Sequence, residues 1–205
     1  MIAAAAVCAV AAPVALAAIV NGTNGNDTLV GTTGPDLFIA YGGNDTVWGL
    51  AGNDNVNAGS GDDTIYGDGT CPNGSSSPSY CSSTETSHDG NDNIDGGDGG
   101  DTIFAGGGND NVSGDGGNDV LYAGAGPDNI AGGVGNDTIY AVDGTKDAIS
   151  CDGGSDVVYA DKIDSVSSTC ESVVRGATAA RIQKRFLTRH SRAHSRRAHR
   201  HSSSR

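Results

Sequence analysis

An aspartate recurs every ninth residue along most of this chain, and few folds can honour so strict a rule. Asp27, Asp36, Asp45, Asp54 and Asp63 keep the interval, and Asp92, Asp101, Asp110, Asp119, Asp128 and Asp137 resume it. Asp147 and Asp156 continue it after a one-residue insertion. A glycine stands two residues before each of these except Asp147, and an aliphatic or aromatic residue stands two residues after every one, from Leu29 and Phe38 to Ile149 and Val158. Self-similarity at a short fixed period is the signature of a stacked repeat, in which each unit buries its apolar side only against its neighbours.

Each unit divides into a six-residue turn and a three-residue strand, as in Gly132-Gly133-Val134-Gly135-Asn136-Asp137 followed by Thr138-Ile139-Tyr140. Alternation along a strand turns its central residue inward and its neighbours outward. Glycine admits positive φ, so the turn can present several backbone carbonyls to one side. A carboxylate among converging carbonyls is an oxygen-only environment, which suits a hard cation such as calcium with its six to eight oxygen ligands.

Composition argues the same way. Thirty-three glycines, three phenylalanines, one tryptophan and one methionine leave too little bulky apolar matter for a globular core, and glycine carries the largest entropy cost on ordering. All 25 carboxylates lie between residues 21 and 174, opposed there only by Lys146 and Lys162. Such a segment repels itself unless cations neutralise it. An enzyme is not expected: His88 is the one histidine before the tail, with no nucleophile in a recognisable arrangement around it. The cysteines lack zinc-site spacing, and with only Glu85 and Glu171 the chain has no loop of the EF-hand kind.

The unit resembles the hemolysin-type, or RTX, calcium-binding nonapeptide GGxGxDxUx across residues 22–159. That resemblance implies an all-β fold, a right-handed parallel β-roll (a β-solenoid) with two units per coil and several Ca2+ ions held between stacked turns. It implies side-chain ligands at Asp27, Asp36, Asp45, Asp54, Asp63, Asp92, Asp101, Asp110, Asp119, Asp128, Asp137 and Asp156. Carbonyls of turn glycines, among them Gly25, Gly43, Gly52, Gly90, Gly99, Gly108, Gly117 and Gly135, would supply most of the rest. The pattern loosens at Pro35 and Pro127 in the fifth position and Thr23 in the second, and Lys146 beside Asp147 leaves Asp147 outside the expected ligand set.

The last position of the unit carries a second period. Val30, Trp48, Tyr66, Phe104, Tyr122, Tyr140 and Tyr159 are bulky, whereas the alternate units end in Ile39, Asn57, Asp95, Ser113, Ala131 and Ser150. A period of 18 written over one of nine is what two faces per coil require. The phase survives only if residues 67–95 form a single unit with 70–89 looped out of its turn. Proximity in sequence pairs Cys71 with Cys81 inside that loop, and Cys151 with Cys170 to clip residues 160–174 over the last coil as a cap; four cysteines allow three connectivities.

The ends differ from the array. Residues 1–17 are an apolar, Ala-rich run ending in Ala15-Leu16-Ala17, read as a secretory signal cut near Ala17 or Ala18, with a buried apolar strand as the alternative. Removal of Cys8 with it leaves an even number of cysteines, in keeping with an oxidising compartment. Residues 175–205 hold ten of the 12 Lys and Arg and no carboxylate, and are expected to be disordered or briefly helical near Ala177–Leu187. The chain therefore reads as a secreted or cell-surface calcium-binding protein, structural or adhesive, whose tail meets anionic envelope polymers rather than nucleic acid. No transmembrane segment is expected in the mature chain. Alternatives are a non-catalytic fragment related to RTX exoproteins, a carbohydrate-binding aromatic face, or an ice-binding face; against the last, Thr28, Thr46, Thr64, Thr102 and Thr138 form no unbroken row.

Overall fold

The computed structural model describes the backbone of residues 6–8 and, in full, residues 17–68, 90–176, 178–185 and 187. The chain winds into two parallel sheets, visiting them in strict alternation. One holds nine strands: β1 (Ala6–Cys8), β3 (Thr28–Val30), β5 (Thr46–Leu50), β7 (Thr64–Asp68), β9 (Thr102–Gly107), β11 (Val120–Ala125), β13 (Thr138–Ala141), β15 (Val157–Ala160) and β17 (Ser172–Arg175). The other holds eight: β2 (Ile19–Thr23), β4 (Leu37–Tyr41), β6 (Asn55–Asn57), β8 (Asn93–Asp95), β10 (Asn111–Ser113), β12 (Asn129–Ala131), β14 (Ala148–Ser150) and β16 (Ser165–Val166). This is an all-β solenoid with two nonapeptide units in each coil.

One inward side chain per strand builds the core. Leu29, Val47, Ile65, Ile103, Leu121, Ile139 and Val158 stack in register along one sheet. Phe38, Val56, Ile94, Val112, Ile130 and Ile149 stack along the other. All are buried. Between the rows sit the small first-position residues Ala40, Ala58, Ala105, Ala123 and Ala141, also buried, so the sheets close on each other without room for a second large residue per unit. This is why so few bulky residues suffice.

From β2 and β3 onward partners step by 18 residues until the irregular segment, where Asn55 pairs with Asn93 and Thr64 with Thr102. The ladder thus skips the extra residues without a break. Where the chain leaves and returns, both carboxylate oxygens of Asp68 accept the Gly90 N–H at 3.2 Å, and Oδ2 accepts the Gly107 N–H at 3.0 Å. Cys71 and Cys81 lie outside the described residues.

Outside the nine-stranded sheet the bulky last-position residues form a continuous stack. Trp48, Tyr66, Phe104, Tyr122, Tyr140 and Tyr159 follow one another with centroids 4.0–5.1 Å apart and planes within 13°. The spacing is that of the strands beneath, so each ring covers its neighbour's face.

Beyond residue 160 the chain adds a strand to each sheet, and a Cys151–Cys170 disulfide ties this segment to the last regular coil. Arg175, taken from the sequence as the start of the tail, is the last residue of β17, and its guanidinium donates to the Asp161 carbonyl at 2.6 Å. Residues 178–185 are helical. The helix is docked, with Ala179 fully buried and Gln183 donating to the Val142 carbonyl at 3.3 Å. At the other end, the backbone of Ala6–Cys8 lies along β3 as a further strand. No helix among the described residues is long and apolar enough to cross a membrane.

Because the core is one residue deep on each side, a cavity there has no second layer to collapse into it. Ile103→Ala is expected to cost about 2–5 kcal/mol, measured by chemical unfolding of the calcium-bound protein. An outward change such as Thr102→Ala should stay within about 0.5 kcal/mol.

Candidate metal centre

Every repeat aspartate turns into the roll and is buried. The same hydrogen bond fixes each one. The backbone N–H of one aspartate donates to Oδ1 of the aspartate one coil later, at 2.7–2.9 Å, from Asp27 to Asp45 and Asp36 to Asp54 through to Asp128 to Asp147 and Asp137 to Asp156. Two rows of carboxylates result, one at each sheet-to-sheet corner. Each row ends on a residue outside the nonapeptide spacing: Asp147 donates to Oδ1 of Asp164 at 3.2 Å, and Asp156 to Oε2 of Glu171 at 2.9 Å.

The second carboxylate oxygen behaves differently. On Asp45, Asp54, Asp63, Asp92, Asp101, Asp119, Asp128, Asp137, Asp147 and Asp156, Oδ2 is buried and has no hydrogen-bond partner. At Asp54, Asp92, Asp101, Asp119 and Asp137 the first position of the unit is a glycine, which leaves space beside that oxygen. A Cβ on Gly49 would stand 2.4 Å from Asp54 Oδ2 and 2.3 Å from the Gly67 carbonyl oxygen, and one on Gly114 would stand 2.5 Å from Asp119 Oδ2 and 2.4 Å from the Gly132 carbonyl. Gly67 and Gly96 keep the same cradle beside Asp92 and Asp101. An anionic oxygen and a carbonyl from the next coil therefore face one small space that no side chain fills. The family model for the RTX calcium-binding nonapeptide repeat matches four segments, residues 21–56, 48–69, 87–121 and 113–145, more than half of the chain. This chain is a member of that family. Searches of curated proteins and of solved structures returned no match.

RTX turns need left-handed backbone, and glycine supplies most of it. Gly43, Gly52, Gly61, Gly99, Gly108, Gly117 and Gly135, in the fourth position, all have positive φ. Turn-to-turn bonds run from fourth-position N–H groups to third-position carbonyls, as in Gly61 to Asp98 and Gly99 to Gly116, and from third-position N–H groups to second-position carbonyls, as in Asp98 to Gly59. The fourth-position carbonyls take no part in this scheme and point along the axis. The Gly99 oxygen would meet a Cβ on Gly117 at 1.6 Å, and the Gly117 oxygen one on Gly135 at 1.4 Å. A methyl group there has no space.

Burial in these RTX corners pushes the carboxyl groups up. Desolvation is the largest cause, opposed by the N–H from the previous coil and reinforced by neighbouring aspartates. Asp54 is raised to about 9, Asp63, Asp92, Asp119 and Asp128 to about 7, and Asp101 and Asp147 to about 6; Asp45 and Asp137 move in the same direction. Calcium is the ligand this donor set fits: buried anionic oxygens backed by carbonyls. No group of three His, Cys, Asp or Glu side chains suited to a metal occurs among the described residues. A bound cation would therefore draw on backbone oxygen as well as carboxylate.

Of the residues singled out from sequence, the interior aspartates stand together in the two rows. Asp147, set aside because of Lys146, belongs in its row: it is 1% exposed with an unpartnered Oδ2, while Lys146 points to solvent. Asp164 and Glu171 escaped sequence reasoning because they follow the preceding member of their rows by 17 and 15 residues rather than 18. Asp27 and Asp36 differ from the interior: their Oδ2 atoms accept N–H groups of Thr23 and Thr32 at 2.5 Å. Gly25 and Gly90 are not left-handed, unlike the other glycines chosen as carbonyl donors.

The pKa shifts set the sign of the pH response. Carboxyls raised above their ordinary value of 3.8 favour the metal-free fold below about pH 4, and that stability is lost as pH rises through 6 to 9. Calcium needs the ionised form, so its contribution runs the other way. In chelator, the β signal in circular dichroism should be strongest near pH 4 to 5 and weaken toward pH 8. With calcium it should strengthen over the same range.

Proposed function

We propose that this protein is an exported, non-catalytic structural element that reaches its working shape when it meets calcium outside the cell, and serves there in adhesion or surface architecture. The observation that carries the calcium part is the set of unpartnered carboxylate oxygens at Asp45, Asp54, Asp63, Asp92, Asp101, Asp119, Asp128, Asp137, Asp147 and Asp156. Leaving so many buried anionic oxygens without a donor costs on the order of 1–3 kcal/mol each, and more when charged.

Calcium, when bound, supplies the positive charge and the demand for oxygen ligands. The chain does the rest. The N–H ladder holds each interior carboxylate by Oδ1 and leaves Oδ2 to the gap between turns, and at Asp54, Asp92, Asp101, Asp119 and Asp137 a first-position glycine keeps space beside that oxygen. The aromatic stack holds successive coils in register on one outer face. Because each ring's faces are covered by its neighbours, the row is better suited to that stabilising task than to sugar stacking.

Export is supported by the apolar segment before Ala17 and by the disulfide at Cys151–Cys170. The basic stretch beyond Arg175 supports contact with anionic envelope polymers, by charge alone.

Removal of calcium by chelator at pH 7.5 should abolish most of the β signal, and calcium in the ~0.1–1 mM range typical of extracellular modules should restore it cooperatively. An unchanged far-ultraviolet spectrum would sink the calcium reading. Deletion of residues 188–205 should reduce retention on anionic cell-wall material at low salt and make no difference at high salt. Equal retention of both forms at low salt would remove the anchoring role.

A further inference from the structure

The first coil meets its carboxylates in a way that no interior coil does. Thr23 and Thr32 occupy the second turn position, where interior units carry left-handed residues: Tyr41, Leu50, Gly59, Gly97, Gly106, Asp115, Gly124 and Gly133 all have positive φ. Thr23 and Thr32 do not, and neither do Gly25 and Gly34 in the fourth position of the same turns. The backbone of both turns thus follows another path.

That path closes the turn on itself. The Thr23 N–H and hydroxyl both donate to Asp27 Oδ2, at 2.5 and 2.9 Å, while the hydroxyl accepts the Gly25 N–H at 3.2 Å. Thr32 repeats the arrangement one unit later. Its N–H reaches Asp36 Oδ2 at 2.5 Å, its hydroxyl lies 3.1 Å from the same oxygen, and the Gly34 N–H donates to that hydroxyl at 3.2 Å. The carboxylate oxygen that stands unpartnered in ten interior units here has two protein donors.

We propose that Thr23 and Thr32 take the place of calcium in the first coil, so that Asp27 and Asp36 are structural rather than metal ligands and ion binding begins with Asp45 and Asp54. Among the described residues no nonapeptide turn precedes that of Asp27, and on its outer side Asp36 meets the Ala18 N–H, 2.7 Å from Oδ1, rather than another such turn; threonine supplies the missing donors from within each turn. The inference rests on the calcium reading above and narrows it to the interior of the roll.

Native mass spectrometry of the full chain at saturating calcium counts the ions directly. The pair Asp27→Asn with Asp36→Asn should keep the wild-type count, whereas Asp101→Asn with Asp119→Asn should lose ions. Equal losses from the two pairs overturn the proposal. A wild-type chain that takes up no calcium overturns the calcium reading itself, and the end-coil assignment with it. Thr23→Val with Thr32→Val gives a second measurement that does not alter the carboxylates. In calcium, amide exchange at Gly25 and Gly34 should accelerate by about fivefold, the loss of one ordinary hydrogen bond, with the ion count unchanged. Unaltered exchange at both glycines, or a fall in the ion count, overturns the proposal.

Discussion

One hydrogen bond governs this molecule: the backbone N–H of a repeat aspartate to Oδ1 of the aspartate one coil away. It locks successive turns in register and leaves one oxygen of every carboxylate to be dealt with separately. Because the bond lies at the sheet corners, the second oxygen is buried whatever else happens. The chain has three ways to handle it: protonation, a protein donor, or a cation. Interior coils keep the space for a cation, and the raised carboxyl groups there are the mark of its cost when none is bound.

The apolar contribution is modest by comparison. A single file of Leu, Ile, Val and Phe along each sheet, with alanine between, buries little area per residue, and ordering so much glycine backbone is expensive. The proposed coupling of calcium binding to folding follows from this imbalance. At one end both rows are relieved by threonine; at the other, Asp164 Oδ2 accepts the Asp161 N–H in one row, and the second row ends on the exposed Glu171. Repeat arrays need such atypical terminal units because the outermost coil has one stacking partner instead of two.

Most of the fold was legible in the sequence because each nonapeptide states its own turn, strand and inward residue, and the alternation of aromatic and small last positions, Tyr122 against Ala131 for instance, marks the two sheets. What escaped notice lies where geometry persists after spacing has lapsed. Asp164 and Glu171 reach row positions from shortened connections, and no nine-residue ruler finds them. Asp147 was set aside for a neighbouring lysine whose side chain simply turns outward. Thr23 read as a loose match; its difference is one of backbone conformation, which residue identity alone does not reveal. The docking of the helix at residues 178–185 depends on Ala179 and Gln183 meeting the roll, a tertiary contact with no local signal.

The exit and return of the chain at Asp68 and Gly90 bear on how such molecules diversify. Asn55 pairs with Asn93 as closely as Asn93 pairs with Asn111, although the first step spans 38 residues and the second 18. Where the two ends of an excursion are clasped by one carboxylate, its length is decoupled from the lattice it leaves. The third turn position is thus a permissive port, through which genetic insertion or an engineered cargo can be accommodated while the scaffold keeps time.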